Sequence, residues 1–316
     1  MRAVRLGTIA LAAWLLGGCA GWSRPGDVLP QLASFEPLAA DARVRIESGI
    51  GSGVDSASLA ASAVAFGEQV ARLLPGAIAQ VEEKHGRAFA APVRVFLCAS
   101  PGCFEQRVPR PPGLTAAIAY DNRLILAPRL FDREPHRLRP VLVHELSHLH
   151  LGQRLGHYTP SIPVWFHEGM ASWVAAGGGA DLATDLQARS AFAVGTGLAV
   201  DEGIEEPPGA ALSSLTCSLT CSLTRSPTQS PTQSPTRAPT RAPIRLAGAV
   251  APDSVFYRQA LLFVDWLATT RPGNFAWFIG ALQNAEPFHS AFAAAFGEAL
   301  AIAYRRFLDE LAVDRD

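Results

Sequence analysis

"LVHELSHLHLGQRLGHYTPSIPVWFHEGMASW", residues 142–173, holds five of the chain's eight histidines together with two glutamates. In "RPVLVHELSHLHLGQ", Pro140 suits the first turn of a helix, Val141, Leu142, Leu146 and Leu149 supply apolar contacts, and Gly152 suits the stop. "HELSH" is therefore expected on a helix. Residues four apart lie about 40° from each other around the axis and roughly 6 Å along it, so His144 and His148 project from one face and can both reach a zinc ion at about 2.1 Å. Glu145 is rotated by about 100° from His144, beside the metal, where a general base for an attacking water has to be. A helix flanked by Leu and Val that buried all three groups without a metal would carry a large desolvation cost.

A catalytic zinc needs a third protein ligand and an open fourth position. His150 lies two residues past His148 and points about 200° away, to the opposite side of the helix. His157 suggests the HExxHxxGxxH signature, but that spacing puts the glycine at Leu151 and the third histidine at Arg154. Glu168 remains, in "VWFHEGMASWV", whose apolar positions Trp165, Ala171 and Trp173 suggest a second helix packed on the first. "HELSH", nineteen residues, then "EGMAS" resembles the gluzincin metallopeptidases, the broad group that includes thermolysin and aminopeptidase N. The segment "WFHEGMA" is similar to their "W-L-N-E-G-F-A" type of segment.

The resemblance implies one Zn2+ per chain bound by His144, His148 and Glu168, with Glu145 as the base that activates the water. It also implies an oxyanion donor from the later helices, for which Tyr257 in "SVFYRQALLFVDW" is the candidate and Tyr158 the reserve. His167 stands where those enzymes usually have Asn. Ser172, one turn past Glu168, occupies a place where thermolysin has a carboxylate that supports a ligand. Two features of the group are missing: no G-A-M-E-N-like stretch precedes the helix, and no N-A-[FY]-W pattern is present. The implied function is a zinc metallopeptidase acting on peptide or protein substrates. The alternative is a non-catalytic zinc-binding or peptide-binding lipoprotein of the same fold.

At the N-terminus, Arg2 and Arg5 precede the apolar run "LGTIALAAWLLGG", which is too short to span a bilayer comfortably. "LGGC" resembles a bacterial lipobox, which implies a signal peptide over 1–18, lipidation of Cys19 and a tether over 19–29. Ala20 after the lipidated Cys points to the outer membrane, facing the periplasm. Of five cysteines, that leaves four in an oxidising space, and "CASPGC" places Cys98 and Cys103 for a disulfide across a Pro-Gly turn. Cys217 and Cys221 belong to a Ser/Thr/Pro-rich four-residue repeat, within an expected disordered insert over 205–245. With 49% hydrophobic residues and a net charge of -1, the chain has material for a core and no polybasic block for nucleic acid.

The remaining segments, 30–204 and 246–316, are expected to form one α+β unit. In the first, a helix is expected over 66–86 with a possible kink at Pro75, a strand in "VRVFLCA", and a hairpin in "LTAAIAY-DN-RLILAP" that supplies an edge strand. A small N-terminal sheet then precedes the HExxH helix. The second segment is expected to be helical throughout, punctuated at Pro272-Gly273, Pro287 and Gly297.

Overall fold

The computed structural model describes residues 36–40, 43–49, 56–107, 116–120, 122–195, 198, 200 and 252–313. The expected signal segment 1–18, Cys19, the expected tether 19–29, the expected insert 205–245 and its Cys217 and Cys221 lie outside the described residues. So do the side chains of His157 and Tyr158. The fold is mixed α+β.

Strand β1 (Glu36–Ala40) pairs antiparallel with β2 (Val44–Gly49), and helix α1 (Ser56–His85) then carries the chain to β3 (Val93–Cys98), parallel to β2. Parallel neighbours need such a crossover. Period-two alternation splits β3 between two apolar clusters: Val93, Val95 and Leu97 face the main core, while Phe96 and Cys98 face a small one with Cys103, Phe104 and Ile125. A disulfide joins Cys98 to Cys103, with Cα atoms 5.3 Å apart. Cys103 sits in the short helix α2 (Pro101–Glu105), whose first turn is capped by Ser100.

The hairpin forms as its turn pair suggests, from β4 (Ala117–Tyr120) and β5 (Arg123–Leu126), with Asn122 at φ 58°. The order β1-β2-β3-β5-β4 leaves β4 at the edge of the sheet among the described residues. Two differences from the sequence reading lie upstream. Helix α1 begins ten residues before the expected start at 66, and β1 and β2 extend the sheet beyond β3 and the hairpin.

After the short α3 (Arg129–Asp132) comes α4 (Pro135–Leu155), the helix that carries "HELSH". Its ends correct the sequence reading. Pro135, not Pro140, occupies the first turn, and Pro140 lies inside, where the helix does without one N–H donor. Gly152 does not stop the helix, because Leu149, Leu151 and Leu155 are all buried around it and outweigh the roughly 1 kcal/mol that glycine costs. The stop comes at Gly156, which has φ 52°. Helix α4 packs against α1, α3 and β4.

Helix α5 (Val164–Val174) follows and packs on α4. It is buried on nearly every side, from Trp165 to Ser172. Helix α6 (Asp185–Ala193) starts with a capping box between Thr184 and Gln187. The C-terminal part forms α7 (Pro252–Thr270), α8 (Pro272–Gln283), α9 (Phe288–Phe296) and α10 (Leu300–Val313). One apolar cluster includes Val95 and Leu124 of the sheet, Leu142 and Leu146 of α4, and Phe263, Phe278, Phe292 and Phe307 of the C-terminal helices.

A close approach of α5 and α7 sets the geometry of the site. A Cβ at Gly169 would lie 2.6 Å from the Ala260 carbonyl oxygen and 2.8 Å from Val264 Cγ2, so α7 rests directly on the α5 backbone. Gly169→Ala must push α7 away. The expected cost is about 1–3 kcal/mol of stability, read as a melting temperature lower by roughly 3–10 °C. An unchanged melting temperature would show that α7 does not sit this close.

Candidate metal centre

His144 and His148 point from one face of α4 toward Glu168 on α5. Their Nε2 atoms are 3.1 Å apart, and each lies 3.3 Å from Glu168 Oε2. Two imidazole lone pairs and a carboxylate oxygen at such distances repel one another unless a proton or a cation lies between them. A tetrahedral zinc with ligands at about 2.0–2.1 Å requires ligand–ligand edges of about 3.3–3.4 Å, and this triangle fits it. Among the described residues, His144, His148 and Glu168 form the group of donors able to hold a metal ion.

The electrostatics agree with the geometry. Burial works to raise the Glu168 carboxyl, but the charge of His148 and hydrogen bonds from both imidazoles outweigh it and hold the carboxyl well below the usual range. For His144, burial works downward, and the hydrogen bond and charge of Glu168, with a further contribution from Glu145, raise it. Glu145 therefore lies near enough to act on the ligand set while standing outside it. It is partly buried.

The two imidazoles are held differently. His144 Nδ1 lies 3.0 Å from the Gly178 carbonyl oxygen, which can only accept, so an Nδ1–H donates there while Nε2 faces Glu168 and His148. Ser172, fully buried, comes only to 3.5 Å from the same nitrogen, the outer limit of a hydrogen bond. The supporting contact expected of Ser172 falls mainly to a backbone carbonyl that no side-chain pattern marks. His148 has a stacked neighbour instead: the His167 ring lies parallel to it, 4.2 Å away at 12°. Burial first, and then the charge of His148, push His167 down to about 3, so that it stacks as a neutral ring.

Tyr257, on α7, has its ring centroid 6.3 Å from that of His144, beside the ligand triangle. It is brought there by the contact of α7 with Gly169, since Tyr257, Ala260 and Val264 share one face of the helix. His150 faces away, as its helical position requires: its Nε2 lies 2.9 Å from the Arg87 carbonyl oxygen, and its ring packs on His85 and Phe89.

His85 forms a second polar contact behind the site, with Nε2 2.8 Å from the Ser147 hydroxyl, on the turn of α4 between His144 and His148. Its backbone carbonyl accepts from Gln283 of α8. Burial, followed by the charges of His150, His167 and His148, holds His85 well below the ordinary imidazole value. Below about pH 6.5 the unfolded chain binds a proton there that the folded chain refuses. Its stability is thus full above that pH and falls as pH drops, by up to about 1.4 kcal/mol per pH unit for one such group. His85→Gln keeps a hydrogen-bonding side chain and cannot titrate. Its melting temperature should fall less steeply than that of the unsubstituted chain between about pH 6.5 and 5. Equal slopes would contradict this assignment.

No protein-family model matches the chain, and no curated protein matches it.

Proposed function

We infer that the chain is a zinc metallopeptidase of gluzincin type, hydrolysing peptide bonds in the cell envelope, where a lipid on Cys19 tethers it to the outer membrane facing the periplasm. The observation that carries the reading is the convergence of His144, His148 and Glu168 from two packed helices, with edges of 3.1–3.3 Å, next to a glutamate that is not a ligand. A structural zinc is closed by four protein ligands and has no use for that carboxylate, whereas a catalytic one takes three and leaves a position open.

A zinc ion held by these three residues would supply Lewis acidity toward the scissile carbonyl and acidify the water beside it. Glu145 then accepts the proton of the attacking water and passes it to the leaving amine. The Tyr257 hydroxyl, on the side of His144, donates to the oxyanion that develops on the carbonyl. Strand β4, at the sheet edge and packed on α4, offers backbone groups along which an extended peptide can add as a further strand. The test is metal analysis of the purified chain followed by digestion of a peptide library. One zinc per chain and chelator-sensitive cleavage support the reading. Stoichiometric zinc with no cleavage turns it into a binding protein of the same architecture.

A further inference from the structure

We propose that the triple-glycine turn Gly177–Gly179 is a positioning element of the metal centre: the Gly178 carbonyl fixes the ring of His144, and the missing side chain at Gly179 lets the turn reach it. The proposal rests on the reading of His144 as a metal ligand.

The turn begins where α5 ends. Ala176, Gly177 and Gly179 have φ values of 52°, 97° and 85°, so the chain reverses within a few residues. Backbone bonds make it stiff: Gly177 N–H donates to Ser172 O at 2.8 Å, Gly178 N–H to Ala175 O at 3.2 Å, and Ala180 N–H to Gly177 O at 3.0 Å. The turn lies flat along α4. A Cβ at Gly178 would be 2.7 Å from Pro140 Cβ and 2.8 Å from Pro140 O, one turn before His144. A Cβ at Gly179 would be 2.4 Å from His144 Nδ1 and 2.6 Å from Cε1, inside contact distance of the ring itself. Beyond the turn, Asp181 accepts from Arg137 of α4 at 3.0 Å and pins its far end. The segment that leaves the Glu168 helix thus returns to the His144 helix and grips the ligand from behind.

Backbone conformation alone does not account for Gly179. Gly86, Gly156, Gly195 and Gly297 also have positive φ, and an added Cβ at each would meet nothing within 4 Å. At those positions glycine answers to φ; at Gly179 it answers to φ and to the ring. An imidazole that has lost its outer hydrogen bond can rotate and change tautomer, and partners of this kind are worth about 10–100-fold in metal affinity.

Gly195 supplies the matched control, with φ 77° against 85° at Gly179 and open space in place of a ring. In zinc competition titrations on the full chain, Gly179→Ala should weaken binding by about 10–100-fold. Gly195→Ala, equally strained, should leave it within roughly threefold. A second measurement needs no variant. In the zinc-loaded chain, the nitrogen resonances of His144 should show a proton on Nδ1, hydrogen-bonded to the Gly178 carbonyl, with Nε2 on the metal side. Zinc bound by Gly179→Ala as tightly as by the unsubstituted chain, or a zinc-loaded His144 with no proton on Nδ1, overturns the role of the turn alone. An unsubstituted chain that takes up no zinc overturns the metal reading beneath it.

Discussion

Glu145→Gln should lower peptide hydrolysis by about 10²–10⁴-fold and leave one zinc per chain in place. The two halves of that result depend on different atoms. Glutamine has the shape of glutamate and fits the same partly buried position on α4, so the helix and the Nε2 atoms of His144 and His148 stay where they are. It cannot accept a proton from water, and the step assigned to Glu145 is lost. Glu145 also contributes to the raised basicity of His144, but after burial and the two effects of Glu168, so zinc affinity should shift only modestly. The measurement is a side-by-side assay of kcat on a cleavable peptide and of zinc content. Activity that survives the substitution sinks the mechanism; zinc lost together with activity would mean that Glu145 acts as a ligand and not as a base.

Much of the site was legible because its information is local. Four-residue spacing on a helix places His144 and His148 on one face and sends His150 to the other, and both placements hold. Helix ends are less local. Pro140 and Gly152 carry ordinary boundary signals, yet α4 begins before the one, where Leu138 is buried, and the burial of Leu149, Leu151 and Leu155 carries it past the other. The same competition hid β2. "VRIESG" reads as a mixed polar stretch, but Glu47 is only 4% exposed, because Arg45 beside it and Arg94 from β3 both pair with its carboxylate. A charge that is buried and paired across strands leaves no hydrophobic pattern to find.

What could not be read were the groups that reach the candidate metal donors from distant parts of the chain. Tyr257 was a candidate by family resemblance, and its place beside His144 depends on the contact of Gly169 with Ala260, more than ninety residues apart in sequence. The Gly178 carbonyl has no side chain at all. Three consecutive glycines after a helix look like a flexible end, and only the space around Gly179 shows that they were needed for an approach. Ser172 was the visible option and stands half an ångström farther from His144 Nδ1 than the carbonyl does, at 3.5 Å against 3.0 Å.

Glu168→Gln should remove zinc rather than chemistry. The Glu168 carboxylate is the only anion of the ligand triangle, with one oxygen 3.3 Å from each Nε2, and an amide in its place is neutral and a poor zinc ligand. Affinity should fall by at least about 100-fold, the upper end of what losing an outer hydrogen-bond partner costs. A stability measurement reads this without any substrate. Zinc held at about 100 times the dissociation constant stabilises a folded chain by about 2.7 kcal/mol; at the same concentration a site weakened 100-fold gains only about 0.4 kcal/mol. The difference corresponds to roughly 5–9 °C of zinc-dependent melting temperature present in the unsubstituted chain and missing in the variant. The three donors come from two helices, so the ion also ties α4 to α5, and chelation of the unsubstituted chain should reproduce the variant's loss. If Glu168→Gln keeps its zinc-dependent rise in melting temperature, Glu168 is not the third ligand, and the assignment to the gluzincin type falls with it.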